Sequence, residues 1–323
     1  MASDIIDVES AGLLTTVQGA PRHGLRHLGV ASGGAVDPWA HALANLLVGN
    51  EAGSATLEIS LAGPTLHFAR AARIAICGAG IDARAGGVAL PGNRPVDLPA
   101  GTRLVLGACR DGARSYLAIA GGLQVPAVLG SASTDLRGGF GGVDGRALRA
   151  GDRLAIAAHP GSRARRLQVA PWWIDANPLP YVHPPGEPCT IRLLPGADAV
   201  EGLANTTWQV DARSNRQGLR LQGPPLALAD GPERISEPVA PGTVQLPPDG
   251  CPIVLLADAQ THGGYPCVGH VPRADFPLLA QMRPGARLRF LPCTPAEARQ
   301  ANAEQRQRLH RIALAIDARI RSP

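Results

Sequence analysis

Lysine is absent from this sequence of 323 residues, and all 31 of its basic residues are arginine. That absence excludes a phosphate-binding P-loop lysine, a Schiff-base lysine, and any lysine carrying covalently bound biotin or lipoate. Aromatics are scarce, at 4 Trp, 3 Tyr and 4 Phe, and the arginines are interspersed with 26 acids for a formal charge of +5. With no basic groove interleaved with aromatics, nucleic acid is not an expected partner. No apolar run approaches membrane-spanning length, so no membrane partner is expected either. Residues 1–12, MASDIIDVESAG, lack the basic start and long apolar stretch of a signal peptide. None of the six cysteines (Cys77, Cys109, Cys189, Cys251, Cys267, Cys293) stands in a CxxC pair, and each lies in or beside an apolar segment. Reduced, mostly buried thiols in a cytoplasmic protein, with no dedicated set of metal ligands, are the expectation.

What is abundant is turn chemistry. The 39 Gly and 30 Pro imply many turns and short strands, and a hydrophobic fraction of 45% is ample for two cores. Strands are expected at Leu13–Gln18, Thr56–Leu61, Thr65–Phe68, Arg73–Cys77, Thr102–Leu106 and Ser115–Ala120. One helix should open at Asp37, a natural cap, with Pro38 in its first turn and Gly49 closing it. Gly78-Ala79-Gly80-Ile81-Asp82-Ala83 fits the GxGxxA pattern of dinucleotide-binding turns. The residues after it, up to Gly92, cannot comfortably form the required helix, so a β-hairpin is read instead. Regular short strands suggest β-barrels. A proline-rich stretch, 158–190, reads as a linker steadied by Trp172 and Trp173 packing on a domain; it separates 1–157 from 191–293. Short echoes between the halves, such as Arg22-His23-Gly24-Leu25-Arg26 and Arg216-Gln217-Gly218-Leu219-Arg220, suggest duplication. The last segment, 294–323, is a helix with a capping box at Thr294 and Glu297 and an apolar stripe of Leu309, Ile312, Ile316 and Ile320.

The densest chemistry lies in 249–273, DGCPIVLLADAQTHGGYPCVGHVPR. An apolar strand, Ile253 to Ala257, delivers Asp258, Gln260, Thr261 and His262 to Gly263-Gly264 and then Tyr265. A rigid strand end bearing a carboxylate, an amide, a hydroxyl and an imidazole beside bare backbone N–H groups is a good design for a site. The competing reading is a hairpin with a glycine turn and solvated polar residues. Alternation along the segment turns His262 toward solvent.

Five segments together resemble one family: SGGAVDPWAHALANLLVGN (32–50), TLEISLAGPTLHF (56–68), GSASTDLRGGFGGVDGRALRAGD (130–152), SNRQGLRLQGPPL (214–226) and LLADAQTHGGYPCVGHV (255–271). It is the biotin-dependent carboxyltransferase, or allophanate hydrolase subunit 2, family, whose members include the C-type subunit of 5-oxoprolinase and the antagonist of a sporulation-kinase inhibitor. The resemblance implies a mainly β chain of two tandem cyclophilin-like β-barrels with a few short helices and a C-terminal helix. It implies an allophanate hydrolase subunit 1-like partner (the B-type subunit of 5-oxoprolinase), a third oxoprolinase subunit, and ATP-dependent opening of 5-oxo-L-proline to L-glutamate. The sequence departs from the family at Ala132, commonly Arg, at His262, commonly Thr, and at Gly34-Ala35-Val36-Asp37, where SGAMD is frequent.

Opening a lactam with ATP and Mg²⁺ calls for charge stabilisation rather than a covalent nucleophile. Without lysine, the candidates for binding a small-molecule substrate and its phosphates are Arg216, Arg137, Gly263 and Gly264, with Thr261 and His262 beside them. Asp258 and Glu237 are candidates for general base or metal holder, Gln260 for orientation, and Tyr265 for a pocket wall. Arg216 and Glu237 are expected to face Asp258. Asp37, Asn50 and Glu58 are secondary candidates, because a helix cap, a turn and a strand pair account for them. Two other functions stay open: a non-catalytic module sequestering a kinase-inhibitor-like partner, and carboxyl transfer to urea with biotin on another chain. In either enzyme reading the chain alone is expected to be silent.

Overall fold

The computed structural model describes residues 4–157, 164–177, 186–227 and 235–321. The chain is mainly β and cyclophilin-like, and it divides into two compact units. One comprises Met1–Pro21, Asp37–Asn177 and Arg308–Pro323; the other comprises Arg22–Val36 and Pro178–Gln307.

The first unit has two six-stranded antiparallel sheets. One runs Arg153–Ile156, Asp4–Ser10, Thr65–Phe68, Thr102–Cys109, Ile81–Ala85, Val88–Ala89; the other runs Gln168–Val169, Val96–Leu98, Ala72–Gly78, Arg114–Ile119, Thr56–Ser60, Leu14–Gln18. Both sheets feed one core, in which Ile6, Leu66, Phe68 and Leu104 of the first meet Val17, Leu57, Ile74 and Leu117 of the second. Thr102, Leu104 and Leu106 are buried while Arg103 is exposed, the alternation of a strand with one wet face. All six residues of Arg114–Ile119 are buried, because helix α1 (Pro38–Leu47) covers the other side of that strand. Each fully buried Leu or Ile contributes about 1.5–3 kcal/mol to holding these layers together.

Helix α1 begins where the sequence places it. The Asp37 carboxylate accepts from the N–H groups of Trp39 and Ala40 at 3.1 and 2.9 Å. The GxGxxA segment is a hairpin, as read: Ile81–Ala85 pairs with Val88–Ala89 around Gly86 and Gly87, at φ +55° and +85°. Two successive positive φ angles suit the tight primed turns that glycine allows.

The second unit is a closed barrel, in order Cys189–Pro195, Cys267–His270, Thr243–Gln245, Ile253–Leu255, Gly218–Gln222, Thr207–Val210, Arg287–Pro292. It closes through a parallel pairing of the first and last of these, with Ile191 opposite Phe290. Its core centres on Trp208, Ile191, Val244, Val254, Val268 and Phe290. Helix α2 (Phe276–Gln281) contributes Leu279 and Ala280.

Two sequence expectations about boundaries need correction. Residues 22–36, read as part of an N-terminal domain of 1–157, belong to the second unit. The Gly33 N–H donates to the Ala257 carbonyl at 3.0 Å, and Arg26 donates to the carbonyl of Gln260 at 2.8 Å and to that of Val239 at 2.5 Å. These backbone partners fix the segment where sequence order does not. The stretch 158–190 is not all linker. Gln168–Val169 pairs with Val96–Leu98, and residues 164–177 lie in the first unit. Trp172 is partly buried, but Trp173 is 62% exposed and does not pack as expected. The remainder of that reading, at 158–163 and 178–185, lies outside the described residues.

Helix α3 (Pro295–Arg321) has the expected capping box. Thr294 N–H donates to the Glu297 carboxylate at 2.7 Å, and Glu297 N–H donates to the Thr294 hydroxyl at 3.3 Å. The Thr294 N–H, and then its hydroxyl at 2.8 Å, both donate to the Glu297 carboxylate and hold it below its usual range. Ile316 is buried and Leu309, Ile312 and Ile320 are half-buried, so the predicted stripe is the covered face. The division between units falls within this helix, after Gln307. Among the described residues no helix is long and apolar enough to cross a membrane.

Candidate functional site

In the second unit, the strand Ile253–Leu255 is followed by a turn that brings Asp258 back onto the 214–218 segment. The Asp258 N–H donates to the Arg216 carbonyl at 3.0 Å, and the side chains pair in turn: Nε to Oδ2 at 2.8 Å, Nη2 to Oδ1 at 2.9 Å. The same Nη2 donates to the Gly34 carbonyl at 2.7 Å. Both residues are buried, Arg216 to 4% and Asp258 to 6% exposure. A planar guanidinium and a carboxylate in this fork geometry make a strong, directional pair. Arg216 thus faces Asp258, as the sequence predicts, but it does so as a bidentate ion pair whose carboxylate has both oxygens engaged.

Beyond the pair the chain surfaces. Thr261 is buried, and its hydroxyl lies 3.0 Å from Nδ1 of His262, which is exposed as alternation predicts. His262–Gly263 pairs with Glu237–Pro238, placing Glu237 opposite Gly263. Glu237 is exposed, Gly264 is exposed, and Tyr265 is 49% exposed, a rim residue rather than an enclosed wall. The Val239 N–H donates to the Thr261 carbonyl at 2.9 Å, extending the pairing of the two short strands by one bond.

Under this rim lies a residue the sequence reading missed. Gln245 is 1% exposed; its Oε1 accepts from Gln260 Nε2 at 3.2 Å, and its Nε2 donates to the Tyr265 carbonyl at 3.3 Å. A Cβ on Gly263 would stand 2.5 Å from Gln245 Nε2, so any larger residue there would have to displace the end of the Gln245 amide. A signal existed: Thr16-Val17-Gln18 and Thr243-Val244-Gln245 are the same tripeptide, one in each unit. Arg26, donating to the Val239 and Gln260 carbonyls, is the other missed support.

The remaining candidates belong to the first unit. Arg137 is exposed in a turn, its N–H donating to Asp135 Oδ1 at 3.1 Å. Asp37 caps α1. Asn50 closes a turn: its amide donates to the Ile119 carbonyl at 2.8 Å and its oxygen accepts from the Gly121 N–H at 2.9 Å. Glu58 sits opposite Tyr116 in the sheet, 1% exposed, accepting the phenol at 2.7 Å, with Arg114 at 4.0 Å. The phenol oxygen also accepts from the Asp37 N–H at 2.8 Å, and the His41 ring meets the Tyr116 ring edge-on at 5.9 Å. Burial, then the neighbouring carboxylates of Glu58 and Asp37, push the Tyr116 hydroxyl far above its usual range, so it remains a donor. Burial lowers His41, leaving it a neutral ring.

For Mg²⁺ the fit on this chain is poor. Among the described residues no three His, Cys, Asp or Glu side chains are grouped to hold a metal ion. Asp258 has both oxygens on Arg216, and Glu237 stands exposed without a second carboxylate beside it in the cluster described above. For nucleotide phosphates, Arg216 is committed in the same pair. What the cluster can do is present the Gln260 and Thr261 side chains, Gly264 and Tyr265 on a braced loop.

Comparison with known proteins places this geometry in a family. Residues 28–292 match the family described as carboxyltransferase domain, subdomain A and B. The chain is 38% identical over 318 residues to the C subunit of 5-oxoprolinase from Escherichia coli K12, covering 96% of this chain and 98% of that protein. It is 33% identical over 327 residues to the C subunit of 5-oxoprolinase from Haemophilus influenzae, covering 97% and 98%. The crystal structure of K. lactis urea amidolyase superposes with a TM-score of 0.85 at 29% identity over 96% of this chain, which spans 20% of that one. The chain therefore belongs to the carboxyltransferase subdomain A and B family, the biotin-dependent carboxyltransferase or allophanate hydrolase subunit 2 group that includes the 5-oxoprolinase C subunits.

Proposed function

We propose that this chain is the C subunit of an ATP-dependent 5-oxoprolinase, opening 5-oxo-L-proline to L-glutamate in complex with an allophanate hydrolase subunit 1-like (B-type) protein and a third subunit. The observation that carries the reading is the match, over nearly their whole length, to two proteins named as 5-oxoprolinase C subunits. ATP would supply the phosphorylation that weakens the lactam's amide resonance, and we assign the nucleotide and its Mg²⁺ to the partner subunits. This chain's part is orientation. Gln260, held by Gln245, and Thr261 present an amide and a hydroxyl to a polar ring of lactam size, and the exposed carboxylate of Glu237 takes a proton. Asp258 and Arg216 act through the loop they anchor, as positioning residues rather than as base and phosphate clamp.

The test is reconstitution. Co-purified with both partner subunits, the chain should support ATP hydrolysis coupled to ring opening of 5-oxo-L-proline, and alone it should do neither. A complex that ignores 5-oxo-L-proline but carboxylates urea, with biotin on another chain, would overturn the reading in favour of carboxyl transfer. A complex that forms tightly and turns over nothing would favour the sequestering module.

A further inference from the structure

Cys267 and His270 lie on one strand of the closed barrel, and their side chains meet. Cys267 Sγ stands 3.3 Å from His270 Nε2, nearer than the Gly269 carbonyl at 3.7 Å. The other ring nitrogen, Nδ1, is 3.4 Å from the Thr243 hydroxyl on the neighbouring strand, where Thr243 pairs with His270. That hydroxyl oxygen also accepts from the Ala240 N–H at 3.3 Å. The hydroxyl keeps a second lone pair that can accept from Nδ1–H, and in that tautomer Nε2 is open to receive the S–H. Cys267 is half-buried and His270 is exposed, so the pair lies at the surface of the barrel rather than in its core. Nucleophile, base and orienting group in sequence are the arrangement of an activated nucleophile.

We propose that Cys267 is a modification site for small hydroperoxides, with His270 as its base and Thr243 fixing the ring. In the reaction, Sγ attacks the nearer peroxide oxygen; an S–O bond forms and the O–O bond breaks. The S–H proton passes to His270 Nε2 and on to the departing oxygen, which leaves as water or an alcohol. Sulfur is oxidised by two electrons to a sulfenic acid and the peroxide is reduced. The charged groups around the pair are consistent with a base-assisted thiol rather than a standing thiolate. Burial raises the Cys267 thiol, with Asp198 and Glu237 adding to the rise, and burial lowers His270. On the adjoining strand, Arg192 is held by Asp275 and is not available to stabilise a thiolate. Nothing in the proposed lactam chemistry uses this pair.

The experiment is timed exposure of the full chain to hydrogen peroxide, with dimedone trapping and peptide mass spectrometry. Cys267 should label before half-buried Cys251, and His270→Gln should slow Cys267 at least about tenfold, the low end of what a positioned base supplies. Thr243→Val should slow it less. Buried Cys77 and Cys109 report on folding in the same spectra, since they should stay unlabelled. If a variant exposes them, the wild-type pH profile decides. A neutral-base mechanism gives a rate nearly flat from about pH 7 to about pH 8.5, whereas a free thiol rises about tenfold per unit in that range. Labelling of Cys267 no faster than Cys251, an unchanged rate in a folded His270→Gln, or a tenfold-per-unit profile would each overturn the proposal.

Discussion

Two glutamines that end strands with the same Thr-Val-Gln tripeptide, one in each unit, show how differently the units use one local sequence. In the first unit Gln18 is fully buried, its Nε2 donating to the Thr16 hydroxyl at 3.1 Å and to the Thr134 carbonyl at 3.3 Å, while its Oε1 has no hydrogen-bond partner among the described residues. In the second unit Gln245 engages both ends of its amide, and both partners lie on the 260–265 loop. The surroundings differ in the same sense. Around Glu58 and Tyr116 every polar side chain described above is buried and turned inward. Around Gln245 the buried groups brace a segment whose next residues, His262, Gly264 and Tyr265, are exposed. The lesson is that buried polarity by itself does not mark a site. What distinguishes the proposed site is buried polarity spent on holding exposed polar residues in place.

The largest test of that contrast removes the brace altogether. Arg216→Met leaves the Asp258 carboxylate buried without its cation and the Gly34 carbonyl without its donor. The expected cost is about 3–5 kcal/mol in urea unfolding. Arg216→Met with Asp258→Leu, which replaces the pair by apolar bulk, should recover most of it. If the double variant is as unstable as the single one, the pair does more than neutralise itself.

Next in size is the glutamine comparison itself. Gln245→Leu strands the Gln260 amide and the Tyr265 carbonyl and should cost about 1–3 kcal/mol. Gln18→Leu deletes an amide whose oxygen is already unpartnered, so part of the loss is offset, and about 0–1 kcal/mol is expected. Equal losses in parallel urea melts would erase the distinction drawn between the units. With the complex in hand, Gln245→Leu should lower kcat more than it raises KM, whereas Gln18→Leu should alter neither.

A smaller effect separates the units by pH. Burial lowers His41 below its ordinary value of 6.5, so the native state holds it neutral while the unfolded chain protonates it normally. The unfolded state therefore binds more protons in acid. The stabilising contribution is whole above about pH 6.5 and is lost as pH falls through the window below it. Urea midpoints at about pH 7.5 and about pH 5.5 should differ more for wild type than for His41→Gln. An identical difference in both proteins would show that His41 does not set the slope.

How much of this was legible in the sequence follows from the range of the interactions. Local rules sufficed for α1, whose cap, proline and glycine lie within thirteen residues of one another. They sufficed too for the Gly86-Gly87 hairpin and for the capping box of α3, because each is closed by its own neighbours. Asp4–Ser10 was not read as a strand; its pairing partners lie at Thr65–Phe68 and Arg153–Ile156, and no local pattern advertises them. The placement of 22–36 in the second unit escaped for the same reason, since it depends on arginine reaching carbonyls more than two hundred positions away. At the candidate site, residue types and the outward turn of His262 followed from composition and alternation. That Arg216 would take both oxygens of Asp258, and that Gln245 would lie beneath the loop, depended on barrel closure.

The smallest expected effect on stability falls at the rim, and it is the most direct probe of function. Glu237 is exposed and sits opposite Gly263 through backbone pairing, so Glu237→Gln changes a charge and almost no shape. Exposed substitutions away from caps and networks move stability by no more than about 0.5 kcal/mol. If Glu237 takes a proton in the reaction, the reconstituted complex should lose at least about a hundredfold in kcat, with partner binding unchanged. The loss should persist at saturating 5-oxo-L-proline, because an amide can still hydrogen-bond a substrate but cannot accept its proton at neutral pH. Full activity in a stable Glu237→Gln complex would move the base to another subunit, leaving the second unit with orientation alone.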